Sequence, residues 1–414
     1  LLQQERYADL LLRVGVNLQH GQGLFLRAEL EHAEFARQVV GAAYRAGAKY
    51  VHVQWDDDPS VRQRMLHSRP EDLDFVPDYL VAQLTQMLED GWARLSLVGS
   101  AHPDIFDDVE PAVMRRISHA RIRKTKFYYD AVMAGQVQWC VAAVPTQRWA
   151  SQVFPEHSAA ESFDLLWQTV LQLARADAED PVLAWRRHDA SLRKIVEYLT
   201  QHNVRSLHFF DPVAAEDGSP STDLVIGLTD APIWVGASSR THTGIEFIPN
   251  IPTEEVFTSP HSGRVDGWVR TSKPGFPFDR RVENALFHFK EGQVVEFSAA
   301  LGQDVLDEFF RIPGATRLGE VSLVDMRSPV NQSGVIFFET LFDENAVCHI
   351  AFGKAYPEGM EHGVSMSEEE RVAAGLNDAE THVDFMIGTS TMDVTGICVD
   401  GSHVAIMKSG QFVL

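Results

Sequence analysis

GLFLRAELEHAEFARQVVGAAYRAGAKYVHVQW, residues 23–55, holds the unit from which the first half of the chain is built. Gly23 to Arg27 reads as a short strand. From His32 to Ala46 the apolar residues Phe35, Val39, Val40 and Ala43 fall on one face of a helix. Gly47 ends that helix, and Lys49 to Trp55 is the next strand. The cycle recurs in a helix at Tyr79 to Leu88 and a strand at Ala93 to Val98. A long amphipathic helix at Pro111 to Met133 then leads to a strand at Gln136 to Val144. Strands separated by helices predict a doubly wound α/β domain with a mainly parallel sheet, over residues 1–203. Two further helices carry apolar stripes, one through Phe163, Leu166, Trp167, Val170 and Leu173, the other over Leu183 to Thr200. Such stripes are core faces.

After residue 204 the pattern changes to short alternating segments: Leu224 to Leu228, Gly244 to Ile248, Arg264 to Arg270 and Val294 to Ser298. One helix interrupts them near Gln303 to Phe310. Asp400-Gly401 and Ser409-Gly410 read as hairpin turns, and Asp211 to Ser221 as a polar loop. Residues 204–414 therefore predict an α+β domain rich in antiparallel strands, and the ionisable residues that could bind metal concentrate there.

A chain of 414 residues exceeds one ordinary core, and its 45% hydrophobic content is that of a globular protein. The formal net charge of −22 argues against a nucleic-acid partner, which needs clustered Lys and Arg. Cys140, Cys348 and Cys398 lie far apart with no CxxC pair, which favours a reducing, cytoplasmic compartment over a disulfide framework. No apolar run approaches the roughly 18 residues of a membrane span. The opening Leu1-Leu2-Gln3-Gln4 lacks the basic and apolar regions of a secretory signal. Gly15, Gly21 and Gly23 do not have GxGxxG spacing, and no GxSxG elbow is present. His20, His52, His102 and His119 have no ligand-like neighbours in sequence and read as surface or core histidines.

Four segments of the second half set ionisable residues among apolar, strand-like ones. In NIPTEEVFTSP (250–260), Glu254 and Glu255 are adjacent, so on an extended chain only one can face a given site. A helix start capped by Thr253 is the competing reading. In Leu318-Gly319-Glu320-Val321 the glutamate sits either at the mouth of a strand or in solvent. In ETLFDENAVCHIAFGKAY (339–356), His349 interrupts an apolar run. Asp343 and Glu344 lie nearby, and Tyr356 is a candidate oxyanion donor. In ETHVDFMIG (380–388), His382 and Asp384 are two apart and project to one strand face, a natural metal pair. Oxygen and nitrogen donors without thiolates suit zinc, cobalt or manganese. Glu254, Glu320 and Asp384, with one hydroxide, would balance two divalent cations, and paired metals activate water for peptide hydrolysis.

These segments resemble the dimetal aminopeptidases typified by aminopeptidase T and aminopeptidase S. The similarity extends through AAYRAGAKYVHVQWDD, WCVAAVPTQRWASQVFP and TDLVIGL to cover nearly the whole chain. The resemblance implies two divalent ions held by Glu254, Glu320, His349, His382 and Asp384, with Asp384 bridging, Tyr356 lining the site, and Glu344 either a ligand or a residue behind the ligands. It further implies a homodimer that removes residues from peptides with a free N-terminus. Glu255 is the candidate proton carrier to the leaving amine. Two alternatives are a peptide-binding protein that keeps the fold without turnover and a metal hydrolase of another amide or ester.

Overall fold

The computed structural model describes residues 2–414 apart from 100, 101, 103, 104, 107 and 215–219. The chain forms two compact units: residues 1–186 with 238–252, and residues 187–237 with 253–414. In the first unit, β1 (Gly23–Glu29), β2 (Tyr50–Asp56), β3 (Ala93–Val98) and β4 (Trp139–Ala143) join a two-residue strand, Asn250–Ile251. The order is β2-β1-β3-β4-(250–251), and every pair is parallel. A short helical run at 30–32 and a helix at Ala33–Arg45 connect β1 to β2, as the periodicity of residues 32–46 requires. Helices Asp78–Glu89 and Pro111–Met133 contribute Leu84, Met87, Tyr128 and Val132 to a core with Phe25 of β1. Leu166, Trp167, Val170 and Leu173 are buried, so that stripe is a packing face.

The strands of the second unit are β5 (Val204–Ala214), β6 (Pro220–Leu228), β7 (Glu255–Thr258), β8 (Pro260–Arg270), β9 (Leu286–Lys290), β10 (Gln293–Ser298), β11 (Leu318–Val324), β12 (His349–Gly353), β13 (His382–Met386), β14 (Asp393–Cys398), β15 (His403–Lys408) and β16 (Gln411–Phe412). Among the described residues they form two sheets, ordered β10-β9-β8-β6-β5-β14-β15-β16 and β7-β11-β12-β13, with antiparallel pairing throughout. The expected helix is present as Gln303–Phe309. Ser409 (φ 48°) and Gly410 (φ 72°) turn β15 into β16, with the two positive φ values of a type I′ hairpin.

The segment 211–221 departs from the sequence reading. Asp211 is not in a loop but continues β5, while Pro220 and Ser221 already belong to β6. Residues 215–219, the middle of the expected loop, lie outside the described residues. The polarity that suggests a loop is met by tertiary partners. The buried Asp211 carboxylate accepts from Thr389 Oγ1 at 2.6 Å, Thr391 Oγ1 at 2.8 Å and its neighbour Val213 N at 3.1 Å. Removing a buried acceptor strands its donors. Asp211→Ala is therefore expected to destabilise the fold by about 2–3 kcal/mol in urea unfolding; a loss under ~0.5 kcal/mol would contradict this account.

Candidate metal centre

Side chains alternate across a strand, and residues paired across neighbouring strands share a face. The register of the four-stranded sheet therefore decides what meets what. Glu255 pairs with Val324, and Phe257 with Ser322. Ser322 pairs with His349, and Glu320 with Ala351. Ala351 pairs with Asp384, and Gly353 with His382. One face thus carries Glu255, Glu320, Ser322, His349, His382 and Asp384. The other carries Val256, Val321, Leu323, Ile350, Phe352, Val383 and Phe385. On that apolar face the Phe352 ring lies 4.9 Å from Phe287, 5.3 Å from Phe310 and 5.5 Å from Phe385.

The polar face brings its donors into two groups that share a member. Glu255, Glu320 and His349 can each offer an atom within 4.8 Å of the others, and so can Glu320, His382 and Asp384. His349 Nε2 is 3.3 Å from Glu255 Oε2 and 4.0 Å from Glu320 Oε1. His382 Nε2 is 3.2 Å from Glu320 Oε2 and 3.5 Å from Asp384 Oδ1. Ser322 Oγ donates to Glu255 Oε2 at 2.6 Å. His382 Nδ1 lies 2.8 Å from the Lys354 carbonyl, which accepts its proton and leaves Nε2 facing the carboxylates. Two glycines permit this closeness: a Cβ on Gly319 would stand 2.3 Å from Lys354 O, and one on Gly353 (φ 105°) 2.1 Å from Thr381 O.

The remaining candidates fall around these groups. No helix begins at Thr253; the chain has no regular structure at 253–254 and enters β7 at Glu255. Glu254 lies just before that strand and outside both groups. Its backbone N–H donates to Asn345 Oδ1 at 2.6 Å, and its Oε2 is 3.6 Å from His188 Nε2. Glu344 is outside both groups but, half-buried, lies in the field of Glu255, Asp384, His349 and Glu320. Asp343 instead accepts from the backbone N–H of Phe337 and Glu339. The Tyr356 ring lies 4.6 Å from that of His382 and 6.0 Å from Phe257. His52 contacts Gln83 and His102 contacts Glu31. Sequence reasoning missed Ser322 and His188. Ser322 was accessible as the residue two beyond Glu320 on the same strand face, whereas His188 sits in the helix Pro181–Gln201 with no local signal.

The electrostatics are those of a site that calls for cations. Burial, then the charge of Glu255, raises Glu320 to about 7 against the pull of both imidazoles. Burial alone would lower His349, but its hydrogen bond to Glu255 and the surrounding carboxylates lift it to about 10. His382 is likewise raised by Asp384 and Glu320 against burial. Burial holds Glu344 well above the usual carboxylate range, followed by Glu255 and Asp384. Asp384 alone is lowered, the two histidines outweighing its burial. Protons thus occupy positions where a divalent ion would balance the same charge, and the all-oxygen-and-nitrogen donor set fits such an ion. Ligation requires proton-free imidazole and carboxylate, so metal uptake should release protons and tighten as pH rises through about 7. Titration calorimetry in buffers of different ionisation enthalpy measures that release; uptake with no proton release between pH 6 and 8 would exclude it.

The comparisons with known proteins agree with this chemistry. The chain is 38% identical to Aminopeptidase 2 of Geobacillus stearothermophilus over 409 residues, covering 99% of this chain and 97% of the relative. It is 39% identical to Aminopeptidase PepS of Streptococcus thermophilus, covering 99% and 98%. It is 38% identical to Aminopeptidase T of Thermus thermophilus, again covering 99% and 98%. A solved structure titled wild-type AmpT from Thermus thermophilus superposes with a TM-score of 0.90 at 36% identity, over 100% of this chain and 99% of that one. Residues 2–412 match the family described as thermophilic metalloprotease (M29). From that match, and from relatives aligned over nearly their whole lengths, the chain belongs to the thermophilic metalloprotease (M29) family.

Proposed function

We propose that the protein is a metal-dependent aminopeptidase that releases N-terminal amino acids from peptides. The observation that carries the reading is the convergence, on one face of one sheet, of two three-donor groups sharing Glu320. Full-length relatives named as aminopeptidases supply the reaction class.

Glu255, Glu320, His349, His382 and Asp384 would hold two divalent ions, zinc, cobalt or manganese, which when bound supply Lewis acidity and an acidified water. Glu320 belongs to both groups and would help hold either ion, and Asp384, to which the sequence reading gives the bridging role, feels both imidazoles. Burial and the nearby carboxylates keep the Tyr356 hydroxyl protonated, fit to donate to the oxyanion that develops on the scissile carbonyl. The sequence reading gives Glu254 to the metal and Glu255 to the proton. The geometry favours the reverse: Glu255 Oε2 lies 3.3 Å from His349 Nε2, whereas Glu254 Oε2 lies 3.6 Å from His188 Nε2, which itself sits 2.7 Å from the Thr253 carbonyl. Glu344 stands behind the ligands as a further carboxyl. The reading takes the enzyme to be a cytoplasmic homodimer, as the resemblance implies; among the described residues no helix is long and apolar enough to cross a membrane.

Two experiments test this. Aminoacyl p-nitroanilides should be hydrolysed, a chelator should abolish turnover, and an N-acetylated peptide should resist cleavage. Equal cleavage of the acetylated peptide would point to a hydrolase of other amides. No turnover with full metal content would leave a binding protein. Separately, Glu255→Gln should lose metal and activity together by elemental analysis. Glu254→Gln should retain metal while turnover drops about 10²–10⁴-fold. The opposite pattern would restore Glu254 as the ligand.

A further inference from the structure

We propose that Glu358 anchors the substrate's free α-amino group and so determines the enzyme's demand for an N-terminus; this rests on the aminopeptidase reading above. Glu358 follows Tyr356 by two residues in the turn Pro357–Gly359. The turn is clamped from both ends. Ser259 Oγ donates to Tyr356 O at 2.6 Å, Thr258 Oγ1 to Gly359 O at 3.1 Å, and Ile233 N to Gly359 O at 3.0 Å. A Cβ on Gly359 would stand 2.5 Å from Ser259 N, so the turn lies directly on that strand end. The Glu358 carboxyl is therefore held in place beside a tyrosine whose ring rests on His382.

The backbone N–H of Glu358 itself is the hydrogen-bond donor that reaches that carboxyl among the described residues. Its Oε2 is closed to solvent and meets no hydrogen-bond partner among the described residues. It belongs to neither metal-donor group. Arg371, whose charge it feels, directs its guanidinium to the carbonyls of Gly363 at 2.7 Å and Val364 at 3.1 Å. The charge of His382 also reaches it, and its own acts on the Tyr356 hydroxyl, so Glu358 lies within electrostatic range of the donor groups. A buried carboxyl oxygen without a donor is costly, and a substrate ammonium or amine N–H would satisfy it. The carboxylates of the two groups would be neutralised by metal, whereas Glu358, outside both groups, is not committed to an ion.

The test compares two inhibitors that differ only in the amine: leucine hydroxamate and its desamino analogue, 4-methylpentanohydroxamic acid. The wild-type enzyme should bind the amine-bearing compound at least about tenfold more tightly, as expected for a charge-assisted hydrogen bond. In Glu358→Gln the ratio should fall to within about threefold of unity at unchanged metal content, and Glu358→Asp should recover part of it. An unchanged ratio in Glu358→Gln overturns the proposal, as does an equal loss for both compounds, which would mark Glu358 as a support for the Tyr356 turn. Wild-type protein that cleaves no free-amine peptide would sink the aminopeptidase reading itself, a result distinct from either.

Discussion

The face that gathers the metal-donor candidates exists because its reverse is pinned. Phe352 of β12 and Phe385 of β13 enter a layer of rings with Phe287, Phe289 and Phe310, and edge-to-face contacts at 4.9–5.5 Å, with Phe289 stacked on Phe352 at 5.7 Å, leave little room to slide. A strand slipped by one residue would bury His349 or Asp384 among those rings and expose phenylalanine in their place. The cost of that exchange, several buried aromatic surfaces against several buried charges, fixes the register to a single value. With the register fixed, the positions of Glu320, His349, His382 and Asp384 follow.

This arrangement gathers negative charge where water cannot dissipate it. Imidazoles raised by their neighbours and carboxyls raised by burial are the response of a buried polar cluster to its own repulsion. The charge balance, more than any single distance, marks the site as one for cations. Glu320 is the hinge of that balance: it faces both histidines and lies between the two donor groups.

Much of the architecture could be read from the sequence because it is local. The strand–helix–strand pattern of residues 23–55 and the HxD pair at 382 and 384 are written in periods of 3.6 and 2. What could not be read depends on pairing. The sequence shows that Glu254 and Glu255 must face opposite ways, but choosing between them needs the register against β11. Nothing local announces that Asn250–Ile251 adds a strand to the parallel sheet of the first unit, since that contact is made with Val141 and Ala142, more than a hundred residues earlier. Asp211 misled as a loop residue because its hydroxyl donors, Thr389 and Thr391, lie at the other end of the chain.

The orientation of His382 carries a consequence for how this sequence can drift. Its Nδ1 is oriented by the main-chain carbonyl of Lys354, while the lysine side chain is exposed. A carbonyl is present whatever amino acid occupies position 354. The ring's tautomer is thus inherited from the path of the backbone and is sheltered from point substitution at its own partner. Only a change that bends the strand, such as a side chain at Gly319 or Gly353, can reach it.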